Sequence, residues 1–380
     1  MKQVSTEKNS REHWIVLNLL EKMDVEVNGN RAWDIQIHSP EFARSVMTMG
    51  GLGLGDSYIE GDWDAVSVDS FIDRILRARL DKEIKSFGMS IYSLKSRLHS
   101  LSKSQKPWKF QDFLRDLPNE FFEAILGSHM SFTCGYWAAG AKTLEEAQQA
   151  RLDMTCKKLN LKPGMRLLDA GSGWGALSAF AAEHYGVECV CTCHYQMQHE
   201  WASKRYAHLP IDFLQSEALM LDGTFDRIVS IHRFEHLPQK NYRTYLEMVD
   251  RILADDGLFL LQSTGKNERR VKGKHWFDTH ILQNNSLPTI AQIAEATNGL
   301  FVMEDMHNFG SDYDKTLMAW YQKLEEAWPA LAQNHKFDEK FYRTWKYYLL
   351  SSAGAYRAND LQQWQCIFSK RHAANAPTVA

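Results

Sequence analysis

Met165–Leu177, "MRLLDAGSGWGAL", is the stretch that decides the fold. "RLLDA" is a short apolar run that ends in a carboxylate, as buried strands often do. Asp169, Gly171, Gly173 and Gly175 follow in the spacing D-x-G-x-G-x-G. "GALSAFAAEHYG" then reads as a helix with a glycine stop at Gly186. The spacing is not the dinucleotide pattern G-x-G-x-x-G. It also lacks the Gly-Lys-Ser/Thr of a Walker A loop.

The alternation continues outward from this unit. Upstream, "LEEAQQARLDMTCKKLN" (144–160) is helical and stops at Lys162-Pro163-Gly164. Downstream, "VECVCTC" (187–193), "IDFLQS" (211–216), "FDRIVSIHRF" (225–234) and "LFLLQST" (258–264) read as strands. Helices are expected at 196–208 and 241–257. Such a pattern predicts a parallel sheet with helices on both faces and a ligand beyond the carboxyl ends of its strands.

Glycines in the loop let a ligand approach the backbone closely, and Asp169 can accept from an ammonium group. The pair suits S-adenosylmethionine, which has an amino-acid head and no phosphates. A tight turn with structural glycines is the competing reading. Strand two ends without an acid for a ribose; Thr192, Cys193, His194 and Gln198 are its polar groups. Strand three ends in Ser216-Glu217, which puts Glu217 near the adenine. Cys189, Cys191 and Cys193 share one strand face, as small buried hydrophobes do.

"IHRFEHLP" (231–238) contains H-x-x-E-H, a zinc signature when it lies on a helix. Here it follows a β-rich run and precedes Pro238, so a strand end and its loop are expected, with no metal. Glu235 then faces the ligand crevice.

The 380 residues are 44% apolar with net charge −3, which gives no argument for a nucleic-acid partner. Six scattered cysteines fit a reducing cytosol. The polar start "MKQVSTEKNSREHW" has no signal core, and no apolar run is long enough to span a bilayer. Residues 12–80 read as a small α+β unit. "EHWIVLNLLEKM" and "VDSFIDRILRARL" are helical, "DVEVNG" and "WDIQIHS" are strands, and "MGGLGLGDSYIEGDWD" is glycine-rich. The basic, Ser-rich "LKSRLHSLSKSQKPWK" (94–109) looks like a linker or arm.

Taken together, the segments "GLGLGDSYIEGDWD", "FTCGYW", "LKPGMRLLDAGSGWG", "FDRIVSIHRFEH", "KNYRTYLEMVDRIL", "FVMEDMHNFGSDYDKTLMAWY" and "AGAYRANDLQQWQ" resemble the cyclopropane-fatty-acyl-phospholipid synthases, relatives of the mycolic acid cyclopropane synthases. The resemblance covers essentially the whole chain. It implies a Rossmann-like α/β S-adenosylmethionine-dependent methyltransferase domain at 110–380. A small N-terminal α+β lipid-contacting domain at 1–93 and a basic linker at 94–109 complete the expected layout. It also implies a homodimer, cytoplasmic and peripheral on the inner face of the cytoplasmic membrane, acting on the phospholipid bilayer.

The implied reaction is methyl transfer to a cis double bond of an acyl chain, then proton loss to a bound bicarbonate and ring closure. Cys134, Glu235 and Tyr313 stand at the family's bicarbonate positions, with Gln262 where a histidine is usual. Phe132 and Thr133 stand where a Tyr-Ser pair touches the cofactor. Asp169, Gly171, Gly173, Trp174, Gly175, Cys193, Gln198 and Glu217 make up the rest of the implied cofactor set. The chain departs from the family pattern at several points. "HYDxGN" appears as "FLRDLPN" (113–119), and the turn "GMFEHVG" appears as "HRFEHLP", which brings in Arg233. "DIGCGWGG" appears as "DAGSGWGA", and Ser352 stands where a cysteine is known. These changes keep two alternatives open: a non-catalytic paralogue that binds lipid or a partner, and a methyltransferase with another substrate.

Overall fold

The computed structural model describes residues 11–80, 117–215, 221–268, 276–281, 287–335 and 337–371. Glu217, the arm at 94–109 and most of 113–119 lie outside them. The chain divides into two compact units.

The first unit holds α1 (Arg11–Lys22), β1 (Ile35–Ile37), α2 (Glu41–Met49), α3 (Gly51–Ile59), β2 (Trp63–Ala65) and α4 (Val68–Ala78). It also takes residues 272–283 and 328–358, which chain order had grouped with the second domain. Two local expectations change here. "DVEVNG" is not a strand: Val27 makes one isolated bridge to Ile35, and β1 pairs instead with β2. The glycine-rich stretch is the helix α3, because its glycines face close neighbours. A Cβ on Gly53 would lie 2.0 Å from the Ser45 carbonyl oxygen, and one on Gly55 2.2 Å from the Trp276 ring. The low helix propensity of glycine is overridden by packing that only glycine permits. Trp63 anchors the core, its ring 5.0 Å from those of both Tyr58 and Phe71.

The second unit contains the glycine loop. Its helices include α5 (Asn119–Leu126), α6 (Leu144–Lys158), α7 (Ala176–Tyr185), α8 (Gln196–Arg205), α9 (Tyr242–Ile252) and α10 (Ile290–Thr297). Residues 310–327 of α11 (Gly310–His335) belong here too. The strands are β3 (Arg166–Ala170), β4 (Glu188–Thr192), β5 (Ile211–Leu214), β6 (Phe225–Ile231), β7 (Leu253–Gly265), β8 (Phe301–Asn308) and β9 (Gln362–Lys370). They form a seven-stranded sheet in the order β5-β4-β3-β6-β7-β9-β8. Strands β3 to β7 run parallel, as expected; β9 pairs antiparallel with β7 and β8. The sheet is therefore mixed.

Alternation along β3 builds two cores. Leu167 packs with Cys189, Cys191 and Leu177 on one face. Leu168 packs with Ile228, Tyr245 and Leu246 on the other. From β3 the chain moves outward to β4 and β5, then returns to β6 on the opposite side. This reversal makes the carboxyl end of β3 the topological switch point, where open α/β sheets form their crevice.

Candidate active site

The loop after β3 is held by its backbone. Gly171, Gly173 and Gly175 have φ of +100°, +57° and +80°, the left-handed region that glycine enters without steric cost. The Gly171 N–H donates to Thr192 Oγ1 at 2.9 Å, and the Ser172 N–H to the Thr192 carbonyl at 3.0 Å. The end of β4 thus clamps the loop. The glycines do different jobs. A Cβ on Gly175 would meet the Phe213 ring at 2.7 Å, and one on Gly171 the Arg233 stem at 3.4 Å. A Cβ on Gly173 would have nothing within 4 Å. Gly173 is therefore the open part of the cradle, and Gly175 is packed.

Other residues of the expected cofactor set have varied surroundings. Cys193 is buried, 3.5 Å from the Ser172 hydroxyl and 3.6 Å from the Gly173 carbonyl oxygen. Gln198 is buried at the start of α8. Trp174 turns to α5, where its indole N–H donates to Asn119 Oδ1 at 2.9 Å. Asp169 is 2% exposed and accepts from the Ser178 hydroxyl at 3.0 Å, against α7. Burial raises its carboxyl to about 6, opposed by the Ser178 hydrogen bond and the charge of Arg151.

The segment between α5 and α6 brings Phe132, Thr133 and Cys134 to the same unit. It has no regular structure, so side chains satisfy its backbone. The Gly135 N–H donates to Thr316 Oγ1 at 3.0 Å, and those of Trp137 and Ala138 to Asp312 Oδ2 at 2.8 and 3.0 Å. The Thr133 carbonyl accepts from Gln148 Nε2 at 2.7 Å. Thr133 Oγ1 accepts from Gln262 Nε2 at 2.8 Å, and Gln262 Oε1 accepts from Gln365 Nε2 at 2.9 Å. Gln148, Gln262 and Gln365 have no exposed surface. The Cys134 thiol is wholly buried, donates to the Gly135 carbonyl at 3.1 Å, and is pushed well up by desolvation. Phe132 packs its ring 5.2 Å from Trp320.

The turn after β6 is too short to give H-x-x-E-H its helical spacing. Phe234–His236 is a single 3-10 turn, and His232 before it has φ +54°. His232 Nδ1 lies 2.6 Å from Glu235 Oε1. Glu235 also accepts from Ser263 Oγ at 2.9 Å and from the Thr264 N–H at 3.2 Å, both at the end of β7. Glu235 is 3% exposed. Burial pushes its carboxyl up, yet the facing His232 ring, with His236, holds it below the usual range. An ionised carboxylate only accepts, so Nδ1 donates, and in the neutral ring Nε2 keeps its lone pair. Nε2 is buried and has no hydrogen-bond partner. The His232 ring centroid is 5.9 Å from that of Tyr313 on α11. No group of three or more His, Cys, Asp or Glu side chains among the described residues is placed to hold a metal ion.

The glycine loop, the His232–Glu235 turn and the β7 end thus lie at the carboxyl ends of three neighbouring strands. The model for mycolic acid cyclopropane synthetase matches residues 103–366. The chain is 41% identical to the cyclopropane-fatty-acyl-phospholipid synthase of Escherichia coli strain K12, over 94% of this chain and 93% of that protein. This chain belongs to the cyclopropane synthase family. The cyclopropane synthase MmaA2 from Mycobacterium tuberculosis has a similar solved structure, with TM-score 0.63 and 27% identity over 70% of this chain and all of that one. A mycolic acid cyclopropane synthase, CmaA1, solved with SAH and CTAB, aligns with TM-score 0.61 and 28% identity over 68% of this chain and 95% of that one.

For a cyclopropane synthase, His232 is the residue that sequence reasoning left without a role. The signal was present: the family turn "GMFEHVG" has glycine where this chain has His232. The buried partners Gln148, Arg151 and Gln365 left no comparable signal, because isolated polar residues do not announce which contacts the fold will give them.

Proposed function

We infer that this cyclopropane synthase adds a methylene from S-adenosylmethionine across cis double bonds of phospholipid acyl chains. The observation that carries the reading is the open left-handed Gly173 between a clamped Gly171 and a packed Gly175, at the switch point of the sheet. S-adenosylmethionine supplies an electrophilic methyl on a sulfonium centre. Gly171–Gly175, Thr192, Cys193 and Gln198 are the residues in position to hold it. The Phe132–Trp320–Tyr313 ring cluster, with Trp320 and Tyr313 buried and Phe132 half-buried, offers the apolar side that a cationic lipid intermediate needs.

Bicarbonate is the base that the family resemblance supplies. Cys134, Glu235, Gln262 and Tyr313 were its expected holders. The thiol of Cys134, the amide of Gln262 and both oxygens of Glu235 are already engaged within the protein. An ionised, buried Glu235 also disfavours a second anion beside it. The Cys134 thiol and one Gln262 N–H are thus committed and Glu235 can only accept, so these three offer an added anion little, and no step is routed through one.

Membrane contact is peripheral in this reading. No helix among the described residues is long and apolar enough to cross a bilayer. Lys95, Arg97, Lys103, Lys106 and Lys109 are the cations proposed to meet anionic headgroups, each worth about 1 kcal/mol near such a surface. A homodimer at the cytoplasmic membrane face belongs to the same proposal.

The test is direct. The full chain is incubated with S-adenosylmethionine and vesicles of cis-monounsaturated phospholipid, and the acyl chains are analysed by mass spectrometry. Ring-bearing chains gaining one CH₂, matched by S-adenosylhomocysteine, are expected, with faster turnover on anionic than on neutral vesicles. Binding of S-adenosylmethionine with unaltered acyl chains overturns the reading.

A further inference from the structure

We propose that His232 is the proton acceptor of this enzyme, oriented by Glu235, and that the chain needs no added anion for ring closure. The proposal rests on the cyclopropanation reading above. An acyl chain that accepts the methyl on one alkene carbon becomes cationic at the other, and S-adenosylhomocysteine departs. One C–H bond of the new methyl then breaks. Its electron pair closes the ring onto the cationic carbon, and the proton passes to Nε2 of His232. The imidazolium is held by the Glu235 carboxylate and returns its proton to solvent before the next turnover.

Four observations converge on this residue. Nε2 of His232 is a buried nitrogen without a partner, and an unsatisfied polar atom at such a depth is costly unless something is to meet it. Nδ1 faces the Glu235 carboxylate at 2.6 Å, so in the neutral ring the proton lies on Nδ1 and Nε2 is the acceptor. The ring stands beside Tyr313, and the neighbouring Arg233 stem lies 3.4 Å from a Cβ position on Gly171. The imidazole therefore faces α11 beside Tyr313, while its chain neighbour Arg233 reaches the glycine loop. Finally, His232 keeps φ +54°, where the family turn has glycine. Residues held in sparsely populated backbone regions cluster at working sites.

The same geometry accounts for Gln262. The His232 N–H donates to the Gln262 carbonyl at 3.0 Å, so the two residues sit on adjacent strand ends. Gln262 stands at the end of β7 where the resemblance implies a histidine, and His232 lies across the ladder at the end of β6. Gln262, its amide tied to Thr133 and Gln365, is a packing residue. The alternative bases are engaged: the Cys134 thiol is held protonated by burial, and the Glu235 oxygens are filled by donors.

The experiment uses the full chain, S-adenosylmethionine and cis-monounsaturated phospholipid vesicles in bicarbonate-depleted buffer. His232→Gly is the variant, since its backbone already lies where glycine is at ease. Wild type is expected to form ring-bearing chains at a rate that added bicarbonate leaves unchanged. His232→Gly should lose on the order of 10²-fold in turnover, with S-adenosylmethionine affinity by calorimetry unaltered. Added imidazole should restore part of that turnover, which a purely structural histidine would not show. Turnover within twofold of wild type in His232→Gly, or a wild type that turns over only with bicarbonate, overturns the assignment. A variant that loses turnover and is not rescued by imidazole counts against it as well. A wild type that binds S-adenosylmethionine yet forms no ring removes the cyclopropanation reading itself, a different outcome.

Discussion

The glycine loop after β3 and the turn after β6 end neighbouring strands, yet different physics builds them. The loop is a backbone object. Its shape comes from three positive-φ glycines and two N–H groups clamped by Thr192, so it is written within a few consecutive residues. The turn is a side-chain object. Glu235 is held by groups from β7 and by His232, and the nearby Thr133–Gln262–Gln365 chain joins three distant parts of the sequence. Changes to the loop should act through sterics and cofactor affinity. Changes to the turn should act through protons and charge.

The largest expected effect comes from the turn. Glu235→Gln keeps the shape but removes the charge that holds an imidazolium, so turnover should fall on the order of 10³-fold. Thermal stability and S-adenosylmethionine affinity should change far less. Steady-state kinetics beside calorimetry checks this, and a proportional loss of cofactor affinity would break the division between the two regions.

Next is the packed end of the loop. Gly175→Val places its side chain against Phe213 at 2.7 Å with φ +80°. Strain and overpacking together should cost about 3 kcal/mol or more. Urea denaturation at equal protein concentration measures it, and a stability equal to wild type would mean that Phe213 moves freely.

The carboxylate beneath the loop should show a pH signature of the opposite sign to a salt-bridged acid. Burial raises Asp169 to about 6 in the folded chain, above its unfolded value. Between about pH 4 and 6 the folded state therefore binds more protons, and stability falls as pH rises through that window. Above it the full cost is present. Asp169→Asn should remove that slope and gain about 3 kcal/mol at pH 7, while matching wild type near pH 4. A variant less stable than wild type at pH 7 would show that the charge is compensated in place.

The smallest stability effect belongs to Gly173. With nothing within 4 Å of a Cβ, Gly173→Ala should lose only the left-handed backbone cost, about 1 kcal/mol. Its S-adenosylmethionine affinity should nevertheless fall clearly in calorimetry, because in the proposed reading the methyl enters the ligand's space. Unchanged affinity would move the cofactor away from the open glycine.

Legibility followed this same division. The strands β3 to β7, the helices between them and the glycine loop were readable because apolar period and glycine spacing are local properties. Glu235 was placed at a strand end from the β-rich run before it and the proline after it. Gln262 was read as a crevice residue because a histidine is usual there. Its exposure is nil and its amide is spent on Thr133 and Gln365. Those partners come from the segment after α5 and from the antiparallel β9, which the alternating βα pattern did not announce. In the first unit, α3 was hidden for the same reason. Only the Ser45 carbonyl and the Trp276 ring explain why a helix carries glycine at 53 and 55.

By itself, then, the sequence determined the open sheet, its switch point and a backbone cradle beside it. Burial period and positive-φ glycines act over spans shorter than ten or so residues, and no distant partner is needed to fix them. Only the tertiary structure decided what His232 is. One nitrogen is bound to Glu235 and the other is left buried without a partner. An imidazole's tautomer, charge and reach are set by whatever groups folding brings within hydrogen-bond distance, and here Glu235, which meets Nδ1, is itself held by Ser263 and Thr264 from the end of β7.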